Sequence, residues 1–265
     1  MDLQLKGKKA LVLGGSHGFG RAVALRLGQE GAQCAIVSRH EESIRQAAQQ
    51  LQEQTGATYF PLVGDTTDAA SIRQVVDQAA QQLGGLEILV NSAARPSGDL
   101  PEDFEHVDEA LILHDFEEKF LGTLRAARAA ARYMQQAGWG RIVTVGGLTA
   151  RTAGSVSAGA RNAALVHLTR TMASALGRYN ITANVVHPST SVTETLRERL
   201  ARGAAATGES VDALIETAAR QNALGRLITA DEIADVILFL CSPRSVAITG
   251  ESISVGGGTG TGVYY

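Results

Sequence analysis

A glycine-rich turn is the segment of this sequence whose residue types and spacing point most clearly to chemistry. It reads Gly14-Gly15-Ser16-His17-Gly18-Phe19-Gly20 and lies between an apolar run at residues 10–13 and a helical pattern at residues 18–29. Glycine permits a tight turn and a close backbone approach to a pyrophosphate, while the first N–H groups of a helix attract phosphate. Between a strand and a helix, this pattern predicts a dinucleotide site rather than a turn that serves packing alone.

The end of the second apolar run indicates which dinucleotide would bind. An enzyme that prefers NAD usually has a carboxylate there, which grips the ribose hydroxyls. This chain has Ser38 and Arg39 instead, and His17 lies in the glycine turn. A guanidinium pairs well with a 2′-phosphate, and a serine hydroxyl can donate to it. We therefore expect NADP(H) rather than NAD(H); the alternative is that Arg39 and His17 are ordinary solvated residues.

Strand-like and helical patterns alternate along the chain, as is typical of parallel βαβ units. The predicted strands are residues 10–13, 33–37, 59–63, 86–90, 141–145, 181–186 and 252–255. The predicted helices are residues 18–29, 41–54, 68–83, 116–136, 157–179, 193–202, 210–221 and 230–241. A longer acidic segment at residues 95–114 leads into the helix at residue 116, and its stretch at residues 99–109 is expected to be a solvated loop. We predict an α/β, Rossmann-type, doubly wound parallel sheet of about seven strands with helices on both faces, in one domain over residues 1–265 with a substrate lid at about 190–222.

Several motifs together resemble those of the short-chain dehydrogenase/reductase family, nearly from end to end. The glycine spacing is Gly-x-x-x-Gly-x-Gly, and the other matches are Asp65-Thr66, Asn91-Ser92-Ala93-Ala94, His187-Pro188-Ser189, Thr193, Leu224-Gly225-Arg226 and the run from Ile253 to Gly258. The resemblance implies that a dinucleotide contacts the glycine turn, Ser38, Arg39, Asp65 at the adenine, Thr66, Asn91, Ala93, Pro188 and, at the nicotinamide, Thr193. It also implies a homodimer or homotetramer that forms through the two long helices.

The catalytic residues of the family are missing from the positions where the resemblance places them. The family uses a Tyr as general acid/base, a Lys four residues later, a Ser that positions the substrate oxygen and an Asn on the preceding helix. Here Ala158 replaces the Tyr, Asn162 the Lys, Gly147 the Ser and Lys119 the Asn. The resemblance therefore implies an atypical member that does not perform ordinary tyrosine-dependent hydride transfer.

The lysine and the asparagine look exchanged between the two helices, which would keep an ammonium and an amide in one cleft. Three interpretations follow. In the first, a non-standard enzyme, redox or not, uses Lys119 with Asn162 on a small organic substrate, helped by Arg161, Thr149 or Ser157. In the second, the chain is an inactive subunit, able to pair with an active member of the family, or an NADP-sensing regulator. In the third, Tyr264 or Tyr265 of a neighbouring subunit supplies the acid.

Composition excludes several other classes of function. The net charge of −3 argues against a nucleic-acid partner, which would favour a basic surface. Cys34 and Cys241 lie in apolar runs without metal-ligand spacing, so we expect reduced core thiols and no metal site. Residues 1–9 lack the apolar core of a signal peptide, and no apolar run approaches the length of a membrane helix. We therefore expect a cytoplasmic protein with no membrane partner.

Overall fold

A parallel sheet forms the centre of the protein. The computed structural model describes residues 1–93, 104–193, 196, 200–201, 204, 208 and 210–260. The strands are β1 (Lys9–Leu13), β2 (Gln33–Ser38), β3 (Tyr59–Val63), β4 (Ile88–Asn91), β5 (Gly140–Val145), β6 (Ile181–Pro188), β7 (Ser191–Val192), β8 (Ile228–Thr229) and β9 (Ser252–Val255). Seven of them pair in the order β3-β2-β1-β4-β5-β6-β9, all in parallel, while β7 and β8 form a separate two-stranded sheet.

Helices cover both faces of the large sheet. They are α1 (Gly18–Gln29), α2 (Glu41–Thr55), α3 (Ala69–Leu83), α4 (Glu109–Asp115), α5 (Gly122–Ala137), α6 (Val156–Leu176), α7 (Val211–Ala219) and α8 (Ala230–Cys241). Buried residues of α1, α2 and α8 form one core cluster, and those of α3, α5 and α6 form a second. The predicted fold class, a doubly wound Rossmann-type sheet of seven strands, is confirmed.

The alternation of side chains along each strand explains why two cores exist. Successive strand residues point to opposite faces. Val12 and Ile88 accordingly pack in the core of α1, α2 and α8, while Leu11 and Leu89 pack in the core of α3, α5 and α6. Strands that are buried on both faces are apolar along their whole length. Because the chain runs outward from β1 in both directions, the strand order reverses between β1 and β4, which is where such sheets bind ligands.

The helix that carries Lys119 begins earlier than predicted. The predicted start of the helix at about residue 116 is wrong, because α4 begins at Glu109 and is capped by Asp108. The Asp108 carboxylate accepts the N–H groups of Ala110 at 2.9 Å and Leu111 at 3.2 Å. A π-helical turn, Phe116–Leu121, joins α4 to α5. Because many residues of the segment are acidic, the sequence pattern did not single out Asp108 as a helix cap.

The remaining differences from the predicted elements lie mostly at helix and strand ends. Strand β4 begins at Ile88 rather than residue 86, β6 continues to Pro188, and the β7–β8 pair was not predicted. Helix α7 occupies residues 211–219 of the predicted helix 210–221, capped by Ser210. Of the predicted helix 193–202, residues 196, 200 and 201 are helical, and most of the others lie outside the described residues. Within the described part of the chain, no helix has the length and apolarity needed to cross a bilayer.

The close approach of Gly20 to Gly14 yields a testable prediction about stability. A Cβ atom at position 20 would overlap the carbonyl oxygen of Gly14 and lie 2.8 Å from its carbonyl carbon. Backbone atoms cannot rotate away as a side chain can, so we expect Gly20→Ala to lower the free energy of unfolding by about 2 kcal/mol or more in denaturant titration.

Gly177→Ala is the matched control for this substitution. Gly177 ends α6 with φ −55°, and a Cβ there meets nothing within 4 Å. We expect the free energy of unfolding of that variant to equal that of the parent protein or to exceed it by up to about 1 kcal/mol. Equal stability of the two variants would show that the contact of Gly20 with Gly14 does not constrain the turn.

Candidate functional site

An open cavity of about 950 Å³ lies at the carboxyl ends of the strands, where Leu13, Val37, Val145 and Pro188 belong to its wall. This volume is typical of sites for small molecules and cofactors. The predicted cofactor residues in the wall are Gly14, Ser16, His17, Gly18, Phe19, Ser38, Arg39, Thr66, Ala93, Pro188 and Thr193. Three others, Gly20, Asp65 and Asn91, are not in the wall. Both predicted catalytic residues, Lys119 and Asn162, are in the wall.

The glycine turn leaves no room for side chains on the side that faces β4. Gly14 has φ +78°, and a Cβ there would lie 2.8 Å from the nitrogen of Ala93. The N–H groups of Gly14 and Gly15 both donate to the carbonyl of Val37, at 2.9 and 3.0 Å, which ties the turn to β2. His17 is the N-cap of α1, and its side chain makes no capping hydrogen bond. The turn thus presents backbone and a helix N-terminus to the cavity.

Arg39 lies in the cavity wall and pairs with a carboxylate that the sequence did not point to. Its guanidinium lies 3.3 Å from the Glu118 carboxylate, and the two side chains are 41% and 4% exposed. The neighbouring Ser38 hydroxyl donates to the carbonyl of His40 at 3.0 Å. Since a guanidinium carries five N–H donors, the pairing with Glu118 leaves donors for a ligand.

Asp65 and Asn91 hold loops together next to the cavity. Burial alone would raise the pKa of Asp65, but hydrogen bonds from the N–H and hydroxyl of Thr67, with Arg39 and His114 nearby, lower that pKa below its usual value. The buried Asn91 amide donates a long hydrogen bond of 3.5 Å to the hydroxyl of Thr144 on β5. Both residues therefore stabilise the segments that form the wall without lining the cavity themselves.

Lys119 is the buried cation of the cleft. It lies on the π-helical turn, is 7% exposed, and its Nζ donates to the carbonyl of Gly146 at 3.2 Å. Burial, and then the Arg161 guanidinium, lower the pKa of Lys119 to about 7, although Asp115 and Glu118 act in the opposite direction. A lysine with a pKa near neutrality can both donate and accept a proton at working pH.

Asn162 fills the space beside Gly147. Its Nδ2 donates to the Thr149 hydroxyl at 2.8 Å, while its buried Oδ1 has no hydrogen-bond partner among the described residues. A Cβ at Gly147 would lie 2.9 Å from that Nδ2. Ala158, where the resemblance places the tyrosine, is buried, and its carbonyl accepts from Thr149 at 3.2 Å. No phenol or hydroxyl stands at positions 147 and 158.

A buried ion pair beneath the cleft was missed by the sequence analysis. The Arg161 guanidinium lies 2.8 Å from the Asp115 carboxylate, and the Ser157 hydroxyl donates to the same oxygen. Arg161 and Ser157 were considered as helpers in the cleft, but Asp115 was assigned to neither loop nor helix. It precedes Lys119 by four residues, so the helical spacing of an acid and a lysine was the available signal.

His187 supports the turn after β5. It is fully buried, and its Nδ1 lies 3.1 Å from the nitrogen and 2.8 Å from the oxygen of Gly147. Burial first, with Arg151 and Lys119 adding to it, lowers the pKa of His187 to about 4, although the Gly147 hydrogen bond opposes the shift. The imidazole is therefore neutral at ordinary pH. This geometry gives His187 a structural role at the turn.

The sequence and the fold of this chain are similar to those of known reductases. A family model described as enoyl-(acyl carrier protein) reductase matches residues 14–260. The chain is 30% identical over 253 residues to the short-chain reductase protein NovJ of Streptomyces niveus, covering 94% of this chain and 92% of that protein. It is 31% identical over 261 residues to the 3-oxoacyl-[acyl-carrier-protein] reductase FabG of Escherichia coli, covering 97% and 98%.

Two solved structures are similar to this chain over almost its whole length. L-sorbose reductase from Gluconobacter frateurii, in complex with NADPH and L-sorbose, has a TM-score of 0.92 at 25% identity, covering 98% of each chain. YwfH, an NADPH-dependent reductase involved in bacilysin biosynthesis, has a TM-score of 0.86 at 25% identity, covering 97% of this chain and 99% of that one. With a family model that matches residues 14–260 and relatives that align over almost their whole length, the chain belongs to the short-chain dehydrogenase/reductase family.

Proposed function

We propose that this protein is an NADP(H)-binding enzyme in which Lys119, assisted by Asn162, transfers the proton that a tyrosine transfers in the family pattern. One observation carries the proposal: Lys119 lies 7% exposed in the cavity wall, pairs with no carboxylate in the described part of the chain, and has its pKa lowered to about 7. General acid–base groups work best when their pKa lies near the operating pH.

The cavity fits NADP(H) in chemistry as well as in volume. The glycine turn offers backbone where a Cβ would meet Ala93, and the Arg39 guanidinium offers donors for a 2′-phosphate, to which Ser38 can add one by releasing the carbonyl of His40. The L-sorbose reductase structure contains NADPH and YwfH is NADPH-dependent, which supports the same cofactor here. When bound, NADP(H) supplies or accepts a hydride. In this proposal the residues in the wall hold it, while Gly20, Asp65 and Asn91 keep the wall in shape.

Lys119 and Asn162 have complementary roles in the proposed reaction. The hydrogen bond to Gly146 holds Nζ in place. The protonated amine donates to a carbonyl oxygen during reduction, and the neutral amine accepts that proton in the reverse direction. Asn162, tied to Thr149, leaves Oδ1 as an acceptor for a substrate hydroxyl. The same amine can instead remove a proton beside a carbonyl, so isomerisation and ring closure stay within the proposal.

The second candidate function is an inactive subunit or an NADP-sensing regulator. The observation that favours it is the buried methyl group of Ala158, which offers no group that could transfer a proton. Such a subunit would act in a heteromer with an active member of the family, whereas the enzyme is proposed as a homodimer or homotetramer. The third interpretation, with Tyr264 or Tyr265 of a neighbouring subunit as the acid, concerns residues outside those that the structure describes.

Cofactor binding is the first test of the proposal. We expect calorimetric titration to give NADPH a much lower Kd than NADH. Arg39→Ala should weaken NADPH binding by about 10- to 100-fold, the worth of a charge-assisted hydrogen bond to phosphate, and leave NADH almost unchanged. Arg45→Ala is the control, because Arg45 pairs with Glu41 on the exposed face of α2. An equal loss for both cofactors, or none for either, contradicts the assignment of Arg39.

Turnover tests the role of Lys119. In NADPH oxidation with a panel of small ketones and aldehydes, Lys119→Met should lower kcat by about 100-fold or more while the Kd for NADPH stays within about threefold. Since reduction needs the protonated amine, the parent rate should fall as the pH rises through about 7. The rate of the reverse oxidation should rise over the same range. A variant that turns over like the parent would exclude Lys119, and a parent that binds NADPH without turnover would favour the inactive subunit.

The pH dependence of protein stability tests the burial of Lys119 without any substrate. Its pKa is lower in the folded chain than in the unfolded one, so between about pH 7 and 10 the unfolded state binds the extra proton. Lys119→Met should therefore stabilise the protein most near pH 6, with the gain shrinking by at most about 1.4 kcal/mol per pH unit above pH 7. The exposed Lys6→Met is the control. A gain that does not vary with pH would contradict a buried, titrating amine.

A further inference from the structure

We infer that the β5–β6–β9 side of the cavity binds a neutral, polyhydroxylated substrate, which would be the substrate class of the proposed enzyme and rests on that proposal. The wall on this side comes from the segments that follow β5, β6 and β9, and most of its side chains are hydroxyls. Apart from Thr193, the predicted nicotinamide contact, they are Thr149, Thr152, Ser189, Thr190, Ser191 and Thr259. In the described part of the chain, no aromatic side chain lines this side.

Most of these hydroxyls already donate their proton within the protein. Thr149 donates to the carbonyl of Ala158 at 3.2 Å, Thr152 to that of Leu148 at 3.4 Å, and Ser191 to that of Ser189 at 2.8 Å. Ser189 and Thr259 both donate to the carbonyl of Gly256, at 3.3 and 2.6 Å. A hydroxyl has one proton and two lone pairs. This wall therefore presents mainly acceptors to a ligand.

The amide of Asn162, like the hydroxyl wall, presents a hydrogen-bond acceptor to a ligand. Its Nδ2 donates to Thr149, and its Oδ1, in a side chain only 2% exposed, accepts from no described residue. A buried acceptor without a partner is costly, so it is commonly satisfied by water or by a ligand. A substrate that carries several O–H donors supplies what both the amide and the hydroxyl wall lack.

Charge and shape exclude the other substrate classes. A cationic amine would meet the ammonium of Lys119, and a carboxylate, which only accepts hydrogen bonds, would leave the hydroxyl wall and the Asn162 Oδ1 without a donor. A long acyl chain needs a continuous apolar wall. On this side the larger apolar side chains in the described wall are Val145, Leu148, Pro188 and Leu196, interspersed with the hydroxyls. A neutral polyol donates hydrogen bonds to these acceptors and carries no charge that the Lys119 ammonium would repel.

A set of six-carbon probes tests this inference by binding rather than by turnover. The probes are sorbitol, 1,6-hexanediol, gluconate and glucamine, each titrated by ligand-observed NMR with and without NADP⁺. We expect sorbitol to bind at least about fivefold more tightly than each of the others. Tighter or equal binding of hexanediol, gluconate or glucamine overturns the inference, and so does the absence of binding by all four.

Isosteric variants locate the binding. Thr152→Val and Thr259→Val each remove acceptor lone pairs from the wall and should raise the Kd for sorbitol about three- to tenfold. Thr171→Val is the matched control, since its hydroxyl donates to the His167 carbonyl at 3.0 Å on the exposed face of α6. Unchanged affinity in both wall variants overturns the inference. Because NADPH is titrated separately, sorbitol binding without NADPH binding rejects only the proposed function, and NADPH binding without sorbitol binding rejects only the substrate class.

Discussion

The cleft depends on a contact between backbones with no side chain between them. The turn after β1 approaches the turn after β4 so closely that a methyl group at Gly14 would lie 2.8 Å from the nitrogen of Ala93. At the same point the strand order reverses, so the loops after β1 and β4 diverge to opposite faces of the sheet. The cavity has the contact between these two turns at its base and the diverging loops above that contact. The hydrophobic cores on the two faces hold the strands that fix both turns.

Among the described residues, the two carboxylates nearest to Lys119 in the chain pair with arginines and not with Lys119. Glu118 pairs with Arg39 and Asp115 pairs with Arg161, each carboxylate being largely buried. Lys119, which follows both carboxylates in the chain, donates to the carbonyl of Gly146. Buried charges are tolerated when they are paired, and a buried lysine that is not paired lowers its pKa instead. Burial is the main cause of the lowered pKa of Lys119, and the Arg161 guanidinium adds to it, while Asp115 and Glu118 act in the opposite direction.

Sequence patterns predicted those features that depend on local periodicity. The bounds of α1 and α8, the glycine turn and the doubly wound sheet follow from apolar spacing and strand–helix alternation, which one segment reveals by itself. Pairings between distant segments were not predictable. Arg39 with Glu118 and Arg161 with Asp115 join residues far apart in the sequence, so no local pattern showed which partner each residue would take. The early start of α4 was missed because Asp108 was treated as part of an acidic loop rather than as a cap.

The contact between Gly147 and Asn162 couples the effects of mutations at the two positions. A side chain at position 147 would place its Cβ 2.9 Å from Nδ2 of Asn162 and so displace the amide from Thr149. A serine at 147 therefore requires the end of the Asn162 side chain to move, or residue 162 to change. We expect the effects of substitutions at the two positions not to add, because a change at one alters the surroundings of the other.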